Sequence, residues 1–314
     1  MLEYPLVPQL ARLEERLPSG DGWVYEPKWD GFRCLLFKDG RSVRLQSRNG
    51  KDLSRSFSEV VRAAAGLPDC VLDGELVVCR DGRLEFEALL DRLAGQDGEA
   101  ASLVVFDAVA WEGADLRELP FERRRSVAEA LPQSPYLQLT PQTAEFDVAT
   151  SWLHESFRLG FEGVVAKKLS LHYQCGERCL VKVKHLESLD VVVGGYTGTR
   201  GSPKGLIAGL YDADGVLHHV GTTSLLPGNA RACAAGLPLS ENPFGGLQPG
   251  RSRWPSHQFD EWVAVEPRMV CEIRFSRLDG MRFRHSVRFV RWRPDRDAAD
   301  CTYQQLARFR PGSV

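Results

Sequence analysis

Short apolar runs divided by tight-turn signals limit the folds open to this chain more than any other feature. Asp-Gly, a strong local signal for a two-residue hairpin, recurs along the chain, including at Asp30-Gly31, Asp39-Gly40, Asp73-Gly74, Asp81-Gly82, Asp214-Gly215 and Asp279-Gly280. Runs such as "WVY", "CLLF" and "LVVF" lie among them and have the length of strands. Helical stretches are occasional. The pattern predicts a mixed α and β protein, and 314 residues suffice for two domains with separate cores. By itself each Asp-Gly pair predicts a turn and nothing more.

The first residues, "MLEYPLVPQLARLEERLP", lack the basic start and apolar centre of a secretory signal. No apolar run approaches the ~18 residues that span a bilayer. A soluble, cytoplasmic protein away from membranes is expected, and no internal repeat is visible. None of the eight cysteines forms a Cys-x-x-Cys pair. His172, Cys175, Cys179 and His185 come nearest to a zinc cluster, but their spacing fits no standard finger, so free thiols and no zinc are expected.

Charge is unevenly spread. Residues 1–190 hold 24 basic and 31 acidic side chains, a net −7, whereas residues 191–314 hold 16 and 11, a net +5. Within 268–296 nine arginines face only Glu272, Asp279 and Asp295. A phosphate-backbone binder needs such a local basic surface, although a solvated strand face has the same composition.

Lysine is scarce: eight of the 40 basic residues. Arginine stays protonated, whereas lysine can lose its proton and become a nucleophile, so lysines that persist against this bias are candidates for chemistry. Lys28 lies in "EPKWDGFR"; Lys167-Lys168 and Lys182-x-Lys184 form two clusters. On a strand "VKVK", Lys182 and Lys184 share one side. Lysine's ordinary pKa near ~10.4 means that a lysine nucleophile needs neighbouring cations.

"KWDGFR" resembles the Lys-x-Asp-Gly signature of the nucleotidyltransferase family of DNA ligases, RNA ligases and capping enzymes. The family's later signatures are resembled in order by "SRNG" (47–50), "DGEL" (73–76), "FDAV" (106–109), "EGVVAKK" (162–168) and "VKVK" (181–184). The remainder resembles the oligonucleotide-binding barrel of bacterial ATP-dependent ligases, closest to the small ligase C type. "RPDR" (293–296) resembles the final motif with arginine in its last place, and Leu180 stands where many relatives have tryptophan.

The resemblance implies an α+β fold: an adenylation domain of antiparallel sheets with helices over 1–189, then a β-barrel OB-fold over 190–314, with 184–190 as hinge. It implies a monomer that seals nicked duplex DNA, through lysyl-AMP and DNA-adenylate, in repair. Lys28 would be the nucleophile, and ATP would be held by Glu26, Arg33, Arg48, Glu75, Phe106, Val164, Lys182 and Lys184. Phe106 and Val164 would cover the two faces of adenine, and Glu26 would read its amino group. Glu75 and Glu162 would bind Mg²⁺ or Mn²⁺. Arg33, Arg48, Arg282, Arg284 and Arg288 would contact DNA, the last three from one strand face. Asp30, Asp73, Lys168, Arg293 and Arg296 are further candidates, with a hairpin turn the expected role of Asp73. Residues 227–255 read as a long insertion or disordered loop. A repair polymerase or end-binding protein is a conceivable partner, and the function would be nucleoid-associated. The alternatives are an RNA ligase, a capping-type transferase or a non-catalytic OB-fold binder; NAD use is disfavoured because the zinc finger and extra domains that accompany it are lacking.

Overall fold

The structure, a computed structural model, describes residues 2–80, 82–96, 98–249 and 261–309. Two compact units divide the chain, Met1–His185 and Leu186–Val314. No helix among the described residues is long and apolar enough to cross a membrane.

The first unit runs β1 (Ala11–Glu14), β2 (Trp23–Pro27), β3 (Phe32–Asp39), β4 (Ser42–Ser47), α1 (Ser58–Ala63) and β5 (Cys70–Val77). The short strands β6 (Cys79–Arg80) and β7 (Arg83–Leu84) precede α2 (Phe86–Leu93), β8 (Ser102–Trp111), β9 (Ala114–Asp115) and α3 (Phe121–Glu129). Then come β10 (Leu137–Leu139), α4 (Phe146–Leu159), β11 (Gly163–Lys168) and β12 (Leu180–Lys184). One sheet has the order β10-β8-β5-β3-β4, with β9 beside β8; a smaller one has the order β1-β12-β11-β2. Antiparallel pairing dominates, with β10 parallel to β8 and β1 parallel to β12.

Side-chain alternation gives the larger sheet two apolar faces. Cys34, Leu36, Leu45 and Leu72 meet Val60 of α1, Leu89 of α2 and Ala128 of α3. Leu35, Phe37 and Val71 face the other way, against Tyr173 and the amino-terminal Tyr4 and Leu6. On the smaller sheet Tyr25, Val164, Ala166, Val181 and Val183 pack on Ala149, Trp152 and Leu153 of α4. Each fully buried aliphatic side chain contributes about 1.5–3 kcal/mol relative to exposure.

The six Asp-Gly pairs named above fall into two groups. Gly40, Gly82, Gly215 and Gly280 have positive φ and open space where a Cβ would stand, as in turns. Gly31 and Gly74 do not. A Cβ on Gly31 would lie 1.9 Å from the Leu76 carbonyl oxygen, and one on Gly74 would lie 2.7 Å from that of Val104. These two glycines let strands approach. Asp30-Gly31 carries the chain from β2 in one sheet to β3 in the other. Asp73-Gly74 lies inside β5, so the hairpin turn expected at Asp73 is corrected: the residue is a wholly buried strand residue.

The second unit contains β13 (Glu187–Thr199), β14 (Ser202–Tyr211), β15 (Leu217–Thr222), α5 (Gly228–Ala235), β16 (Trp262–Ala264) and β17 (Val270–Phe275). After these come β18 (Leu278–Asp279), β19 (Arg282–Phe283) and β20 (Arg288–Trp292). Its antiparallel sheet has the order β15-β14-β13-β17-β20, with β16 also on β13. Thr223 and Val287 form a parallel bridge, with Val287 N–H donating to Thr222 at 2.9 Å and Ser224 N–H to Val287 at 2.8 Å. The ends of the sheet thus meet, as in a partly open five-stranded barrel.

Three expectations change here. The second unit begins before residue 190, because β13 already pairs with β17 from Glu187. The stretch 227–255 is not an unstructured insertion over its described part. It forms α5, with Ala230 and Ala234 buried, and inserts a fully buried Phe244 whose ring covers Gly194 and Gly209; residues 250–255 lie outside the described residues. Finally, Arg282, Arg284 and Arg288 do not share one strand face. Strand geometry stops after Phe283 and resumes at Arg288, because Val287 is taken by the closing bridge. Arg284 is buried, Arg282 half-buried and Arg288 exposed.

Gly31→Ala should lower stability by about 2–4 kcal/mol through overpacking against β5. Gly66→Ala, where a Cβ meets nothing within 4 Å, should stay within about 0.5 kcal/mol of the parent. Urea unfolding of both variants checks the pair.

Candidate active site

Lys28 follows β2 directly. Its N–H donates to Gly163 O at 2.8 Å, and the Glu162 N–H donates to Lys28 O at 2.8 Å. This reciprocal pair extends the β2–β11 ladder and fixes Lys28 opposite Glu162. Gly163, with φ of +143°, admits β12, since a Cβ there would lie 2.1 Å from Val183 O. Lys28 Nζ then donates to Glu162 Oε2, and Lys184 Nζ donates to Glu162 Oε1 at 3.2 Å. One carboxylate joins two ammonium groups.

The register pairs Val165 with both Lys182 and Glu26, and Gly163 with Lys184. Glu26, Val165, Lys167, Lys182 and Lys184 therefore share the face of the smaller sheet opposite its α4-packed core. Burial, then the charges of Lys28 and Lys184, push the Lys182 pKa below the ordinary lysine value. Burial lowers that of Lys184 as well, against the opposing pull of Glu162. Glu75, on β5 opposite Arg33, is pushed up to about 7, chiefly by burial; Lys28 and Arg33 oppose the rise, and Asp30 and Glu162 add to it. Asp30 is itself buried.

Arg33 spends its fork on Asp73: Nε to Oδ1 and Nη2 to Oδ2, both 2.6 Å, with Nη2 also reaching Gln9 O at 3.0 Å. Tyr173 Oη completes the carboxylate's shell at 2.6 Å. The Arg33 fork, which the resemblance assigns to ATP and DNA, is thus bonded to a carboxylate of the protein, and the guanidinium lies 4.5 Å over the Phe106 ring. Lys167 lies over the same ring at 4.8 Å, donates to Phe106 O at 2.9 Å and pairs with Glu26 Oε2 at 2.8 Å. Gln142 Nε2 donates to Glu26 Oε1 at 3.0 Å. Glu26 is consequently held in a buried network.

Two assignments move by one residue. Val164 is fully buried in the core against α4, so Val165, half-buried on the opposite face, is the valine beside Glu26 and Lys182. Lys168 points away from the site, donating to Asp21 O at 3.0 Å and lying 4.7 Å over Trp23; Lys167 takes the site position. Counting by twos from Gly163 along "GVVAKK" was the available signal for both. Arg48 is exposed in the turn after β4 and makes no ion pair among the described residues. In the second unit Arg293 and Arg296 both contact Asp190. Arg274 and Arg288, both exposed, stand opposite each other on β17 and β20; Arg274 was not singled out from the sequence.

All eight cysteines are free thiols, and Cys175 and Cys179 accept hydrogen bonds from different partners, Arg117 and Gln9. Among the described residues no group of three or more His, Cys, Asp or Glu side chains is placed to hold a metal ion. Glu162 and Glu75 are hard oxygen donors, the ligand type of which Mg²⁺ or Mn²⁺ takes one or two, with water and phosphate oxygens filling its shell.

The comparisons agree with this arrangement of elements. The family model described as "ATP dependent DNA ligase domain" matches residues 6–184. "DNA ligase C2" of Mycolicibacterium smegmatis is 38% identical, the alignment covering 96% of this chain and 94% of that one. "Multifunctional non-homologous end joining protein LigD" of Pseudomonas aeruginosa is 32% identical over 96% of this chain, which spans 37% of that longer protein. A solved structure, mycobacterial DNA ligase D complexed with ATP and MES, superposes with a TM-score of 0.54 at 25% identity, covering 96% of this chain and 99% of the other. The fold is therefore that of a ligase nucleotidyltransferase. The chain belongs to the ATP-dependent DNA ligase family.

Between about pH 4.5 and 7 the native state holds a Glu75 proton that the unfolded chain has released, so this group makes stability fall as pH rises through that window. Glu75→Gln should remove that dependence. The variant should gain about 1–3 kcal/mol over the parent by pH ~8 and little at pH ~4.5. Denaturant midpoints across the range test this, and a pH-independent difference would sink it.

Proposed function

We propose that this ATP-dependent DNA ligase forms its covalent intermediate on Lys28 and seals nicks in duplex DNA in three balanced transfers. The Lys28 nitrogen loses a proton and attacks the α-phosphorus of ATP; a nitrogen–phosphorus bond forms and pyrophosphate leaves. A DNA 5′-phosphate oxygen then attacks the same phosphorus, freeing the lysine and capping the strand with AMP. The 3′-hydroxyl finally attacks the 5′-phosphorus, forming the phosphodiester and expelling AMP. Each step spreads charge over phosphoryl oxygens, so positioning and electrostatics do most of the work.

The observation that carries this reading is the Lys28–Glu162–Lys184 bridge, with Lys182 beside it. Glu162 orients the Lys28 nitrogen and accepts its proton's hydrogen bond, while Lys182 and Lys184 supply positive charge to phosphate oxygens. Phe106 and Val165 offer apolar surface to adenine, near the Glu26–Lys167 pair. Glu162 and Glu75 would hold a divalent metal, which when bound supplies Lewis-acid stabilisation of the phosphates. Arg48 is free to meet a DNA phosphate. The second unit is read as an OB-fold duplex binder, with Arg274 and Arg288 its exposed pair. The LigD match supports a repair setting, with a polymerase or end-binding protein as recruiter of a cytoplasmic, nucleoid-associated enzyme.

Labelled ATP and metal should give an acid-stable enzyme–AMP adduct, and nicked DNA should be joined in preference to RNA. Lys28→Arg keeps the charge and should abolish labelling; persistent label on that variant would refute the nucleophile. Glu162→Ala and Lys182→Ala should each slow adenylation by about 10²–10³-fold, the scale for losing one stabilising group in a dry site. Wild-type rates in both would remove them from the site.

A double Arg274→Ala/Arg288→Ala change addresses DNA separately. It should reduce the salt slope of nicked-duplex binding by about two, roughly one per lost phosphate contact, and leave enzyme–AMP formation intact. An unchanged slope would place the duplex surface elsewhere.

A further inference from the structure

We infer that Asp190 is a positioning residue, a stored counter-ion that a phosphate must displace before Arg293 and Arg296 can bind it. The inference rests on the ligase reading above but concerns a residue to which that reading gives no role.

Asp190 lies on β13, about a tenth exposed, and receives arginines from the segment after β20. Arg293 Nη1 reaches its two oxygens at 3.1 and 3.0 Å, and Arg296 Nε reaches Oδ2 at 3.1 Å. The rest of the Arg293 fork is spent on Asp295, with Nε at 2.9 Å and Nη2 at 2.8 Å. Glu272, paired with Asp190 across β13 and β17, holds Arg291 at 2.8 Å. Gln305 Nε2 fixes the Asp190 backbone carbonyl at 3.1 Å. Three arginines thus meet three carboxylates, and all of these but Asp295 line an open cavity of about 240 Å³ whose walls include Ser188 and Gln305.

The balance is what matters. A cluster of arginines at a cavity attracts phosphate, but this one carries no net charge until a carboxylate gives way. Asp190 is the shared acceptor, and it differs from the purely internal anion Asp73, which is fully buried. Arg296 is 48% exposed on its side of the pair, so solvent and anions reach it without unfolding the strand. A phosphate offers the same bidentate acceptor geometry as a carboxylate with more charge, so exchange is chemically matched. The exchanged phosphate belongs either to the polyphosphate tail of ATP or to the DNA backbone, and the two sources are separable.

The test compares the full-length parent with Asp190→Asn, which keeps shape and one acceptor oxygen, and with Asp190→Ser as a second variant. If ATP is the source, the KM for ATP in enzyme–AMP formation should fall about five- to tenfold at unchanged kcat, the scale of one charge-assisted hydrogen bond no longer competing. Inhibition by inorganic tripolyphosphate should strengthen in parallel. If DNA is the source, KM should stay constant while nicked-duplex affinity rises by that factor and its salt slope steepens. A folded variant with KM, tripolyphosphate inhibition and duplex binding all unchanged or weakened would overturn the inference. So would failure of both variants to fold, since Asp190 would then be a structural counter-ion. Absence of enzyme–AMP in the parent itself would instead count against the ligase reading.

Discussion

Two backbone hydrogen bonds, one in each direction between Lys28 and the Glu162-Gly163 step, are the constraint on which the first unit's chemistry depends. They are ladder bonds with no chemical specificity of their own. Their effect is to bring the start of the 28–33 segment against the start of β11, so that a lysine and a glutamate 134 residues apart share one hydrogen bond. Gly163 is the condition for it, because any side chain there would collide with the β12 backbone that delivers Lys184. The ammonium groups are then crowded, and the lowered pKa values of Lys182 and Lys184 record the cost of burying positive charge together.

Around this cluster the unit neutralises its other buried charges in closed pairs. Arg33 is matched to Asp73, Arg124 to Asp107, and Glu26 to Lys167 with Arg125 3.7 Å away. Asp73 and Asp107 are register partners on β5 and β8, and each is satisfied by its own guanidinium. Breaking such a pair by removing one partner typically costs about 3–5 kcal/mol, because the other charge is left buried. These pairs are scaffold. The Lys28–Glu162–Lys184 group, like Lys167 and Arg125 on Glu26, sets two cations on one carboxylate, but it differs in that both lysine side chains are about a fifth exposed. That exposure leaves its positive charge within reach of an anion.

Much of this was legible in the sequence, and the failures share a physical cause. The scarcity of lysine singled out Lys28, Lys182 and Lys184, and period two placed the last pair on one face. Asp-Gly misled at Asp73 because the same dipeptide serves turns, where glycine's positive φ is wanted, and close strand contacts, where its missing Cβ is wanted. Only the neighbour, Val104 for Gly74 or Leu76 for Gly31, distinguishes the two, and it is remote in sequence. Val165 and Lys167 were each missed by one position, because strand parity needs a reference residue known to face the site. The 227–249 stretch, rich in glycine and proline, concealed α5 and the buried Phe244, since a single aromatic filling the space over Gly194 and Gly209 leaves no periodicity to read.

The arginine-rich tail shows how far composition can overstate available charge. Nine arginines lie in 268–296, yet Arg291, Arg293 and Arg296 are balanced by Glu272, Asp190 and Asp295, and Arg268 by Glu266. Arg284 is buried, and burial lowers the pKa of the half-buried Arg282 below the ordinary arginine value. A long-range attraction for duplex phosphates depends on charge that faces solvent and is not already paired. The exposed arginines of the segment include Arg274 and Arg288, which stand directly opposite each other on the β17–β20 edge. Like charges opposed across a ladder destabilise a sheet in isolation. A sheet that keeps such a pair exposed gains from it when an anion lies across both.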